Sequence, residues 1–102
     1  MSANPARGEA MLRIGGGWIT LRPTFAALVA AEEEIGPLFA LVERAAEARL
    51  SLAEMVALFW HCRHDAPDTV TREAFSEAVA AAGMAQATPV LRTLLRQVLA
   101  GR

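Results

Sequence analysis

Ser51-Leu-Ala-Glu-Met-Val-Ala-Leu-Phe-Trp-His-Cys-Arg-His64 is the stretch whose reading decides the fold. It opens as a capping box. The Ser51 hydroxyl is placed to accept from the third backbone N–H of a helix, and Glu54 to reach back to the Ser51 amide. Behind the cap, Leu52, Met55, Val56, Phe59 and Trp60 recur at helical spacing and make the richest apolar stripe in the chain. The spacing predicts a helix to about His64, and the stripe marks the centre of the core. Asp65-Ala-Pro-Asp68 reads as the loop that follows.

The same grammar extends in both directions. On the N-terminal side, Thr24 is a cap for a helix over Phe25–Ile35, with Phe25, Leu28, Val29 and Ile35 on one side and Gly36 as its stop. Pro37 suits the first turn of a second helix to about Arg49, with Leu38, Leu41, Val42 and Ala45 at i, i+3, i+4, i+7 spacing. On the C-terminal side, Thr71 caps a helix over Arg72–Ala82, with Phe75 and Val79 inward and Gly83 as its stop. Thr88-Pro89 then reads as a cap and first-turn proline opening a last helix to about Ala100. Val90, Leu91, Leu94, Leu95, Val98 and Leu99 form a broad apolar stripe on it. Arg92 and Arg96 lie four apart on the other side, so two like charges face solvent.

The pattern changes before Pro23. Two extended runs, Glu9–Ile14 and Trp18–Arg22, flank Gly15-Gly16-Gly17, and glycine accepts the positive φ angles of a tight turn. Alternation puts Trp18, Thr20 and Arg22 on one face and Ile19 and Leu21 on the other. The expected fold is therefore mostly α: a hairpin over residues 9–22, then a compact bundle of four to five short helices over 24–100. One domain over 9–102 follows a flexible tail of residues 1–8.

Bulk composition narrows the function. The chain has 102 residues, enough for one modest core. Hydrophobic residues make up 54%, far above a disordered segment, and many are alanine, the best helix former. All ten basic residues are Arg, and the net charge is −1 with both signs scattered. A nucleic-acid binder needs a basic stripe, so that class is disfavoured. No apolar run reaches the ~18 residues of a membrane span. The polar stretch from Met1 to Glu9 lacks the apolar centre of a signal peptide. The lone Cys62 has no intrachain partner for a disulfide, which fits a reducing cytoplasm.

Chemistry-bearing clusters fall short of an active site. His61 and His64 could share a helical face, yet zinc needs three or four converging ligands, and only Asp65 or Asp68 could add to the pair. Adjacent helical side chains diverge by about 100°, so Cys62 meets neither histidine and has no local base. The triple glycine lacks the Gly-Lys-Ser/Thr ending of a phosphate loop. Glu32-Glu33-Glu34 opposes the dipole at a helix C-terminus. It reads first as a solvated face, and otherwise as a docking patch or a partner for Arg22 or Arg44. No catalytic, metal or cofactor residue is assigned. Binding is the expected activity, with Trp18 on the hairpin and Leu91, Leu95 and Val98 on the last helix as contact residues, since anchors of this kind carry binding energy.

One resemblance sharpens this. Leu21-Arg22-Pro23-Thr24-Phe25-Ala26-Ala27-Leu28-Val29-Ala30-Ala31-Glu32 ends at Gly36. Leu50-Ser51-Leu52-Ala53-Glu54-Met55-Val56-Ala57-Leu58, Thr71-Arg72-Glu73-Ala74-Phe75 and Gly83 follow. This order resembles the small tail proteins of gene transfer agents and related siphophage-like elements, read both as tail tube proteins and as tail assembly chaperones. The loop Asp65–Asp68 departs from the glycine-rich loop of that pattern. The resemblance implies a helper in building a non-contractile tail, acting on the tape-measure protein, the tail tube protein or both, in the cytoplasm of the producing bacterium. Self-association is left open. The rival readings are a tube or connector subunit kept in the particle, and a small helical DNA-binding regulator.

Overall fold

The Ser51 cap forms as the sequence requires. In the computed structural model, which describes residues 9–14, 17–64 and 70–100, the Glu54 N–H donates to Ser51 Oγ and the Ser51 N–H donates to Glu54 Oε1, each at 3.1 Å. Eight elements follow one another in the chain. They are β1 (Ala10–Ile14), β2 (Gly17–Leu21), α1 (Phe25–Ile35), α2 (Leu38–Ala46), α3 (Leu52–Cys62), β3 (Arg63–His64), α4 (Arg72–Ala82) and α5 (Met84–Ala100). The fold is mostly α with an N-terminal hairpin, and its radius of gyration is 12.5 Å. The expected tail of residues 1–8, the turn at Gly15-Gly16 and the loop Asp65–Asp68 lie outside the described residues.

The α3 helix is the central pillar. Met55, Val56, Ala57, Leu58, Phe59 and Cys62 are all buried, so apolar packing surrounds it instead of lining a single stripe. Leu52, expected on the stripe, is exposed at the helix start. The helix also ends two residues earlier than its spacing predicts. Arg63 turns extended (φ −53°, ψ 138°), and Arg63–His64 pair antiparallel with Leu21 and Thr20 of β2. The Arg22 N–H donates to the Cys62 carbonyl at 2.7 Å, starting the pairing. An open strand edge needs partners for its backbone groups, and residues 63–64 supply them.

The hairpin forms in the predicted place. Leu12 lies opposite Ile19 and Ala10 opposite Leu21, so these residues and Ile14 turn to the core. Met11 and Arg13 lie opposite Thr20 and Trp18 on the other face, where Thr20 is nonetheless buried. There the Thr20 hydroxyl donates to Met11 Sδ at 3.3 Å, and the Arg13 guanidinium sits 5.6 Å from the Trp18 ring centre.

The remaining helices begin at their caps with one exception. Thr24 accepts from the Ala27 N–H, and Thr71 from the Ala74 N–H. Gly36 and Gly83 stop α1 and α4 with φ of 92° and 90°, a region open to glycine. On α1, however, Phe25 is 84% exposed, and Ala31 is the residue buried against the core. A small side chain lets α1 approach α3 closely, which moves the contact face away from Phe25. The α2 helix stops at Ala46, short of Arg49. Ala48 takes φ 58°, with Ala48 N–H donating to the Ala45 carbonyl and Arg49 N–H to the Arg44 carbonyl. This is a Schellman close with alanine where glycine is usual.

The exception is α5, which begins at Met84, ahead of the predicted Thr88 cap. The Gly83 carbonyl accepts from both Gln86 and Ala87, and Ala87 is buried, so tertiary packing recruits an extra turn. Pro89 therefore sits inside the helix. Its missing N–H leaves a gap in the ladder. Thr88 hydroxyl donates to the Met84 carbonyl at 2.7 Å and Thr93 hydroxyl to the Pro89 carbonyl at 3.1 Å on either side of it.

Candidate interaction surfaces

The residues with chemical potential are occupied in holding the fold. Glu34 accepts from both Nη atoms of Arg72, and its Oε1 lies 2.8 Å from His61 Nε2. One carboxylate thus ties α1 to α3 and α4. The Arg72 hydrogen bond, followed by that of His61, pushes the Glu34 carboxyl down to about 2. Glu32 has a different task. Its Oε2 accepts from the Leu38 N–H at 3.0 Å, capping α2, whose own N-cap Pro37 makes no side-chain hydrogen bond. The expected ion pairs of this acidic run with Arg22 or Arg44 are replaced. Arg22 pairs with Glu9 at 3.2 Å, and Arg44 with Glu54. The charge run gave no signal of these roles, because each partner lies on a separate element.

Cys62 is fully buried, and desolvation pushes its thiol up to about 12. His64 belongs to β3 while His61 lies in the last turn of α3, so the two do not share a helical face. Among the described residues, no group of three or more His, Cys, Asp or Glu side chains converges as metal ligands. Arg63 stacks 3.4 Å from the Trp60 ring centre, and its Nε donates to the Trp60 carbonyl at 2.9 Å. Trp60 in turn meets Phe75 edge-on, with centroids 5.5 Å apart. These contacts are packing, set at the junction of α3, β3 and α4.

Among the described residues, open apolar surface includes two grooves. One, of about 520 Å³, runs between α2 and α5. Val42, Ala45 and Ala46 form one wall, Leu95 and Leu99 the other, with Arg92 and Arg96 at the lip. The second, of about 360 Å³, separates the hairpin from α4. Trp18, Ile14 and Ile19 face Val70, Phe75 and Ala78 across it.

The four predicted contact residues are divided by this geometry. Trp18 is 59% exposed and lines the hairpin groove, whereas Leu95 is 9% exposed and packs in the core beside the α2–α5 groove. Leu91 and Val98 are partly buried against the core. Sequence reasoning placed Phe25 on the apolar side of its helix and passed over Phe39, and both are strongly exposed; Leu99, at the end of the last-helix stripe, is 62% exposed. Only burial by neighbouring elements separates these from their core-facing counterparts.

Together these features define a small helix-rich protein with a β-hairpin and two open apolar grooves. A family model described as phage tail tube protein, GTA-gp10, matches residues 7–101. The match spans both hairpin strands and all five helices, and the chain belongs to this family of gene-transfer-agent and phage tail proteins. Comparison with curated proteins and with solved structures returns no match. Among the described residues, no helix is long and apolar enough to cross a membrane.

Proposed function

We propose that this tail protein is a non-catalytic assembly chaperone that binds the tape-measure protein, the tail tube protein or both in the cytoplasm while the tail is built. The observation that carries the reading is the amount of large apolar surface left open. Trp18, Phe25, Phe39, Leu52, Met84 and Leu99 are exposed on a chain of 102 residues. Scattered exposed apolar residues are common, but here Trp18 and Leu99 each border a groove, and apolar grooves are a recurrent mode of protein recognition. The buried neutral thiol of Cys62 and the engagement of His61 by Glu34 support the non-catalytic half.

The family description favours a second reading, a tube subunit retained in the particle. The described strands run five, five and two residues. Tube rings rest on long strands, so these lengths support the chaperone. Mass spectrometry of purified particles separates the two: a chaperone is absent or scarce, and a tube subunit abundant. Co-purification with tape-measure or tube protein is the direct test, and no association at micromolar concentrations would count against both partners. The DNA-regulator reading is disfavoured by the net charge of −1, and duplex DNA should not shift in gels at any salt concentration.

A further inference from the structure

We propose that the α2–α5 groove receives an acidic amphipathic helix of the partner protein, clasped by Arg92 and Arg96. The inference rests on the chaperone reading and specifies the chemistry of its partner. It starts from the arginines. Arg22, Arg44, Arg49 and Arg72 are ion-paired, and Arg13 and Arg63 lie over tryptophan rings. Among the described residues, Arg92 and Arg96 alone of the arginines have neither kind of partner. Both stand at the lip of the groove, which no carboxylate lines among the described residues.

Two guanidiniums four residues apart on one helix repel each other. They are separated by about 6 Å along the axis. Carboxylates four apart on an incoming helix match that spacing and would relieve the repulsion. The floor suits the opposite side of the same helix. Ala45 and Ala46 leave room that a bulky wall would fill, and the exposed Leu99 presents an apolar surface to a leucine-type anchor. The α5 wall of the groove runs from Arg92 to Leu99, about two turns, along which a short partner helix can pack.

The test uses the full chain and the tape-measure protein as probe. The double substitution R92E/R96E is expected to raise Kd roughly tenfold or more, because it sets like charges face to face. R92K/R96K should bind nearly as tightly as the parent, and added salt should weaken the parent more than the reversed variant. Ala46 is exposed, so A46W should fold and block the groove, and circular dichroism checks that each variant keeps its helices. Binding that survives both R92E/R96E and A46W overturns the groove assignment while leaving the chaperone intact. Failure of the unaltered chain to bind the tape-measure protein overturns this inference, and failure to bind the tail tube protein as well overturns the chaperone reading with it. A change in self-association by sedimentation, with tape-measure binding unaffected, would instead assign the groove to a second copy and overturn the proposal.

Discussion

Glu34 holds α1, α3 and α4 through a single carboxylate shared by Arg72 and His61. Its folded pKa, pushed down to about 2, lies below the ordinary carboxylate value. The stabilisation is therefore present above about pH 5 and is lost as the pH falls towards 2. The carboxylate is 36% exposed, so solvent screening reduces its worth to about 1 kcal/mol. Glu34→Gln should lose that amount at pH 7, and the gap from the parent should close on acidification. Urea midpoints measured over that range check it, and a gap constant with pH would contradict the electrostatic account. Cys62 makes the opposite kind of prediction. A buried thiol pushed up to about 12 stays neutral at pH 8. A thiol-specific disulfide reagent should label the native protein slowly and react in step with urea unfolding; rapid labelling without denaturant would argue that α3 opens locally.

At the level of elements, N-cap side chains start three of the helices, the Glu32 carboxylate caps a fourth, and glycines end two of them. The close of α2 stands apart, because Ala48 occupies the left-handed region at φ 58°. A Cβ there costs roughly 1–2 kcal/mol, and glycine avoids the cost at some loss of unfolded-state restriction. Ala48→Gly is thus expected to stabilise the protein by about 1 kcal/mol. For a chain of this size that raises Tm by about 4–8 °C. A thermal melt with no rise or a fall would mean that Ala48 is not held at positive φ in solution.

Across the whole molecule, core and surface are distributed differently from the apolar pattern of the chain. Phe75 is fully buried beneath Trp60, while Phe25 is 84% exposed. Phe75→Ala should cost about 3–5 kcal/mol, a large share of the about 5–15 kcal/mol that stabilises a small domain. Phe25→Ala should change stability by less than about 0.5 kcal/mol. Chemical denaturation of the two variants compares them directly. A large cost at Phe25 would show that its ring is covered in solution.

Most of the secondary structure was legible in local chemistry. Ser51 and Glu54, Thr24, Thr71, Gly36 and Gly83 act within a few residues of themselves, through backbone donors, acceptors and φ angles. Those interactions are present in any conformation that begins the helix, so the hairpin and the helical order could be read from the chain. The readings that failed depended on residues distant in sequence. Arg63–His64 left the helix because β2 offered paired hydrogen bonds. α5 gained a turn because Ala87 found a place in the core. Phe25 was left outside because α1 packs through Ala31. Of the expected contact residues, Trp18 is open to solvent and Leu95 is not, a difference hydrophobicity alone does not contain. Sequence by itself determined which segments become helices and strands, because caps, turns and periodicity are local. Tertiary structure decided which apolar faces remain open, and that Arg92 and Arg96 stand unpaired among the described residues beside one of them, because burial and charge pairing are set by neighbours many residues away.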